Sequence, residues 1–136
     1  MHYVAKLTRE GKFWLAEFPD CPGCQTFGQS EKQAISMARE ALDGWLEAHL
    51  ATGDAPPRPR RKRGVSVDVD PRIAAAVEVR WLREDSGLTQ AQVAQRLRVS
   101  RQQVAKLENA RGNPSIDTLS KVAKVLGRKL EVKFAV

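Results

Sequence analysis

Apolar positions follow two different periods along this chain. They alternate near the N-terminus and recur every three to four residues further on, which predicts strands first and helices after. HYVAKLT (2–8) and KFWLAEF (12–18) alternate in character, and Glu10-Gly11 between them suits a tight hairpin turn. FPDCPGCQTFG then holds two prolines and two glycines, with a short third strand expected at Gln25–Gly28. Ser30, with Gln33 three residues on, reads as a capping box opening a helix to about Leu50. Its apolar positions Ile35, Ala38, Leu42, Trp45 and Leu46, with His49 beyond, should pack on one face of the sheet. Val65, Val67 and Val69 alternate as another strand, and Asp70-Pro71 starts a helix that ends near Ser86-Gly87 and gives Ile73, Val77 and Trp81 to a second core.

The stretch Gly87–Gly127 is the most specific part of the pattern. Thr89 with Gln92 and Ser100 with Gln103 form two more capping boxes, eleven residues apart. They predict a helix from about Gln90 to Leu97, burying Val93, Ala94 and Leu97, and another from about Arg101 to Asn109, burying Val104 and Leu107. Two short helices joined by so tight a turn make a helix-turn-helix. Burial of Val104 and Leu107 leaves Arg101, Gln102, Ala105 and Lys106 outward on the second helix, the face that enters a major groove. Arg suits guanine and Gln suits adenine, and both also bind phosphate. The expected DNA-binding set is therefore Gln90, Ser100, Arg101, Gln102, Ala105, Lys106 and Asn109, with Gln90 touching the DNA backbone.

Composition sharpens the division of the chain. The net charge of +7 over 136 residues is uneven. Residues 1–52 carry 5 basic and 7 acidic side chains, 53–64 carry 5 and 1, and 65–136 carry 13 and 8. Positive charge thus accompanies the helix-turn-helix, as phosphate binding requires, and the first half suits a different partner. GDAPPRPRRKR (53–63) reads as an extended, mobile linker whose arginines either touch phosphates or keep it soluble. With no long apolar run and no leader-like N-terminus, neither a membrane span nor a signal peptide is expected, and the protein is read as cytoplasmic.

The C-terminal motif TQAQVAQRLRVSRQQVAKLEN followed by NPSIDTLSKVAKVLG resembles the Xre, or phage-repressor-type, helix-turn-helix. Arg98 stands where that family usually has Gly in the turn, and a left-handed arginine there costs on the order of 1 kcal/mol. FPDCPGC, QTFGQS and the following AISMAREAL resemble the N-terminal domain of HicB-type antitoxins, with Cys21 replacing a usual aliphatic residue. Together the resemblances imply an α+β protein, a partial RNase H-like domain (small antiparallel sheet plus helix) joined to an all-α Xre-type domain with a C-terminal strand. The implied order is a toxin-binding domain at 1–52, a linker at 53–64, a strand at 65–70 that joins the N-terminal sheet, and a DNA-binding and dimerisation domain at 71–136.

The resemblance also implies a HicA-type, mRNA-cleaving toxin as partner, with Glu17, Asp20 and Phe27 as candidate contacts, and double-stranded operator DNA as ligand. The tail KLEVKFAV alternates Leu130, Val132 and Phe134 with charged residues, so it is expected as a strand that pairs with its copy in a homodimer, and dimers pairing further would give a tetramer. No cofactor or metal is expected. Cys21 and Cys24 form one CxxC without a second, and His2 and His49 stand apart, so two small apolar-packed thiols are favoured over a zinc or redox site. Glu40, Asp43 and Glu47 share a helix face, yet a metal nuclease would also need acids converging from strand ends, so an enzyme is not expected. The leading expectation is an antitoxin that represses its own operon. The alternative is a stand-alone transcriptional regulator with an N-terminal sensing or oligomerisation domain.

Overall fold

β1 (His2–Glu10) and β2 (Phe13–Glu17) form the expected hairpin, with Gly11 at φ +60° in the turn. The computed structural model describes all 136 residues. β3 (Gln25–Gly28) pairs with β2, and β4 (Val65–Asp68) pairs with β1, each antiparallel, giving the order β3-β2-β1-β4. The fourth strand therefore joins the N-terminal sheet. Tyr3, Ala5, Ala16 and Val67 are fully buried on the face covered by α1 (Glu31–Ala51).

The buried stripe of α1 differs from the expected one. It runs Ala34, Ala38, Leu42, Leu46 and Leu50, while Ile35 and Trp45 are only half-buried. The cause is the approach at β3: a Cβ on Gly28 would lie 2.6 Å from Ala34 Cα, so the helix turns its smallest side chains toward the strand. Trp45 instead stacks on His49 at 4.8 Å and donates Nε1–H to the Pro22 carbonyl at 3.2 Å. Ser30 caps α1 by accepting from Gln33 N, but the Gln33 carboxamide oxygen accepts from Gln29 N rather than Ser30 N, so only half of the capping box forms.

Contacts divide the chain into Met1–Ala74 and Ala75–Val136, a division that falls within α2 (Pro71–Asp85). Residues 53–64 thus belong with the sheet. They contain no regular element, but hydrogen bonds hold them against the first unit instead of leaving them mobile. In the second unit α3 (Gln90–Leu97), α4 (Arg101–Leu107) and α5 (Ile116–Val125) follow. Their core is Val79, Val93, Ala94, Val104, Val122 and Leu126, flanked by Leu82, Leu97, Leu107 and Leu119. From α2, Val79 and Leu82 line this core; Ile73 and Val77 are buried as expected, with Trp81 half-buried, but they lie on a different stripe of the helix. Residues 129–136, expected as a strand, form no regular element in the single chain.

Candidate functional site

Both capping boxes of the helix-turn-helix are complete. Thr89 Oγ1 accepts from Gln92 N at 3.1 Å while Gln92 Oε1 accepts from Thr89 N at 2.8 Å, and Ser100 and Gln103 repeat the exchange at 3.1 and 2.9 Å. Each satisfies two helix-end groups reciprocally and fixes where its helix begins. Between them Arg98 adopts φ 58° and ψ 44°, the left-handed conformation that lets α3 stop and α4 leave at once.

Buried Val104 fixes which way α4 faces. Ser100, Arg101, Gln102, Ala105 and Lys106 are consequently all exposed together, with nothing of their own unit covering them. Asn109 is half-buried just past the helix and accepts from Arg111 N at 3.1 Å, ordering the chain that leaves α4. Gln90 is also half-buried. Its Nε2 donates to Glu108 Oε1 at 3.4 Å, so part of its amide is turned inward.

Glu108, the residue closing α4, is the one charged side chain among the buried residues, 3% exposed. Arg83 grips both its oxygens, Nε to Oε2 at 2.6 Å and Nη2 to Oε1 at 2.9 Å, and Arg80 adds Nη1 to Oε1 at 3.3 Å. Arg83 Nη1 also donates to the Leu88 carbonyl at 3.0 Å. Fork-to-carboxylate pairing of this kind is geometrically specific, so it fixes α4 against α2 and the start of α3. The expected site did not include this cluster. A signal was present, since Glu108 lies four residues after buried Val104 and next to Leu107, where a lone carboxylate demands a cation.

In the first unit the face of the sheet opposite α1 carries Phe13, Leu15 and Glu17 on β2, with Phe27 directly opposite Leu15 on β3. Phe13 is 49% and Phe27 46% exposed, a small apolar patch beside Glu17 and its cross-strand neighbour Lys6. Glu17 and Phe27 therefore share one open face. Asp20 does something else: its Oδ2 accepts from the backbone N–H of Arg60 and of Arg61, both at 2.8 Å.

Cys21 and Cys24 are buried free thiols in the turn that leads into β3, where Cys24 N donates to the Cys21 carbonyl at 2.9 Å. Burial pushes the Cys21 thiol up to about 12, with smaller contributions from Cys24 and Asp20, and burial pushes Cys24 up to about 11. Thiols so far from ionisation are poor nucleophiles and poor metal ligands. Asp43 Oδ1 accepts from Asp70 N at 3.1 Å, and burial raises its carboxyl above the usual range. Nowhere do three His, Cys, Asp or Glu side chains stand together to hold a metal ion, and no helix is long and apolar enough to cross a membrane.

Two family models match the two parts of this geometry. One, described as a HicB-like antitoxin of bacterial toxin-antitoxin system, matches residues 3–84, and one described as helix-turn-helix matches residues 79–133. Similar proteins include Antitoxin HicB 1 of Photorhabdus laumondii, 33% identical over 98% of this chain and 87% of that protein. Antitoxin HicB 2 of the same organism is 26% identical over 97% and 95%, and Antitoxin HicB of Escherichia coli K12 is 26% identical over 97% and 98%. A tandem of this kind is a regulatory protein rather than an enzyme, with a toxin and DNA as its classes of partner. The sheet-and-helix unit with its FPDCPGC turn, followed by a fully capped helix-turn-helix, places this chain in the HicB-like antitoxin family.

Proposed function

We propose that the protein neutralises a HicA-type mRNA-cleaving toxin through residues 1–52 and represses its own operon through the helix-turn-helix. The observation that carries this reading is the pairing in one chain of an antitoxin unit with an uncovered recognition face, Arg101, Gln102, Ala105 and Lys106. On this reading Gln90, Ser100 and Asn109 position α4 through phosphate contacts, while the α4 face reads bases. The toxin meets the open sheet face at Glu17 and Phe27, with Phe13 and Leu15 as its apolar floor. Asp20, held by the backbone of Arg60 and Arg61, shapes the rim of that face. Two copies joined through Leu130, Val132 and Phe134 present two recognition helices to a palindromic operator in the cytoplasm.

Co-expression with a HicA-type toxin tests both halves at once. Growth rescue and binding to the promoter region are scored together. Arg101→Ala with Gln102→Ala should abolish promoter binding, at about 1–3 kcal/mol per lost base contact, and leave rescue intact. Loss of rescue in a variant that stays folded would sink the division of labour. Rescue without any promoter binding by the wild type would sink autorepression alone.

A further inference from the structure

Residues 57–64 are a strap pinned to the antitoxin unit at three points. Tyr3, fully buried, donates its hydroxyl to the Pro57 carbonyl at 2.6 Å. Asp20 accepts from the main chain of Arg60 and Arg61 with a single oxygen. Gly64, at φ +139°, lies so close to β1 that a Cβ there would stand 2.9 Å from Val4 Cγ1. The Arg61 guanidinium adds a bond within the strap, Nε to the Arg63 carbonyl at 2.8 Å. Between these pins Arg60, Lys62 and Arg63 extend exposed side chains, in a run of five cations over six residues.

A run of charge that served only to keep a linker soluble would gain nothing from immobilisation. Pinning removes beforehand the backbone freedom that a flexible basic arm loses on binding. Asp20 meanwhile bonds main-chain N–H groups, which leaves the outward cations for another partner.

We propose that the strap is a second, sequence-independent contact for duplex DNA phosphate, carried by the antitoxin unit and acting alongside the helix-turn-helix. Once α4 is in its groove, the chain itself keeps the strap near the same duplex, where the local phosphate concentration is far above that in solution. The inference rests on DNA binding by α4, as proposed above, but not on the identity of the operator or the toxin.

The test uses the full-length chain and a duplex that it selects from a random pool. Arg60→Gln, Lys62→Gln and Arg63→Gln are combined, three exposed changes that leave the pins in place. The slope of log affinity against log salt concentration should flatten by about 2–3 per protomer, at roughly 0.9 per phosphate. Affinity for the selected and for an unrelated duplex should fall together, with their ratio unchanged. Asp20→Ala, which unpins the strap and keeps its charge, should weaken binding while leaving the slope near the wild-type value. An unchanged slope in the triple variant overturns the proposal, and so does loss of toxin neutralisation at unchanged slope, which would assign the strap to the toxin. Wild-type affinity in Asp20→Ala would overturn the part played by pinning. If the wild type selects no duplex, DNA reading by α4 fails as well, a result distinct from all of these.

Discussion

Arg83 on α2 and Glu108 at the end of α4 face each other fork to carboxylate, at 2.6 and 2.9 Å, with Arg83 11% and Glu108 1% exposed at the side chain. The pair joins the helix that precedes the motif to the second helix of the helix-turn-helix. Glu108→Ala leaves Arg83 with a buried, unmatched charge, while Arg80 keeps Glu84 at 3.1 Å, and should cost about 3–5 kcal/mol in urea unfolding. Replacing Arg83 and Glu108 together by Met and Leu removes both charges and should cost much less. A Glu108→Ala variant as stable as the wild type would show that the pair holds nothing.

Two non-glycine residues of the motif have positive φ, Arg98 at 58° and Asn113 at 48°, and Arg98 is the one in the turn between α3 and α4. Its left-handed conformation costs an arginine on the order of 1 kcal/mol that a glycine escapes, against which glycine has more freedom to lose on folding. Arg98→Gly should therefore gain roughly 0.5 kcal/mol, and Arg98→Val, whose branched Cβ suits that conformation worst, should lose about 1–2 kcal/mol. Thermal unfolding of the two variants gives the sign of each change.

These two sites also mark what the sequence made legible. Helix starts and the turn were readable because their causes are local: Thr89 and Gln92, or Ser100 and Gln103, sit three residues apart and cap each other. For Glu108 only the burial had a local signal, in Val104 and Leu107; its partners did not, because they lie 25 and 28 residues earlier. The segment 53–64 reads as mobile for the same reason, since its anchors Tyr3 and Asp20 lie 54 and 40 residues back. On α1 the expected Ala38, Leu42 and Leu46 are buried, but Ala34 and Leu50 complete the stripe in place of the bulkier Ile35 and Trp45. What decides the stripe is the close approach to Gly28, a property of the sheet and not of the helix. On the candidate toxin face, Glu17 and Phe27 were named, but the patch formed by Phe13 and Leu15 beside them needs the strand register to be seen.

The buried thiols give the antitoxin unit a dependence on alkaline pH. Burial lifts Cys21 from 9.0 to about 12 and Cys24 from 9.0 to about 11, so the fold favours the protonated forms. A group raised in this way contributes stability that is complete below its unfolded value, about pH 9, and is lost as pH climbs toward the folded value. In Cys21→Val one such contribution is absent. The stability difference between wild type and this variant should narrow between pH 8 and pH 10.5, while other titrations, common to both proteins, cancel. At pH 8 an aromatic disulfide reagent should label native wild type far more slowly than denatured protein. A difference that stays constant with pH would mean that the thiols are not held protonated by burial.

The C-terminal tail has an apolar side with nothing on it. Val132 is 63% exposed and Phe134 97%, alternating with Glu131 and Lys133, and Leu130 is half-buried at the start of the run. A period of two with one apolar face is the pattern of a half-buried strand, yet the second unit holds no strand to receive it. Pairing with the same segment of a second chain would supply the missing backbone partners and bury the aromatic ring, and an isologous contact of this sort closes into a dimer. Deleting residues 129–136 should therefore convert a dimer to a monomer in light scattering, with α3 to α5 still folded by circular dichroism. Val132→Lys with Phe134→Lys should do the same without shortening the chain. Because a dimer holds two recognition helices for one palindrome, both changes should weaken binding to a full site far more than to a half-site. An unchanged dimer after the deletion would place the interface elsewhere, and unchanged full-site binding by a monomer would remove the need for one.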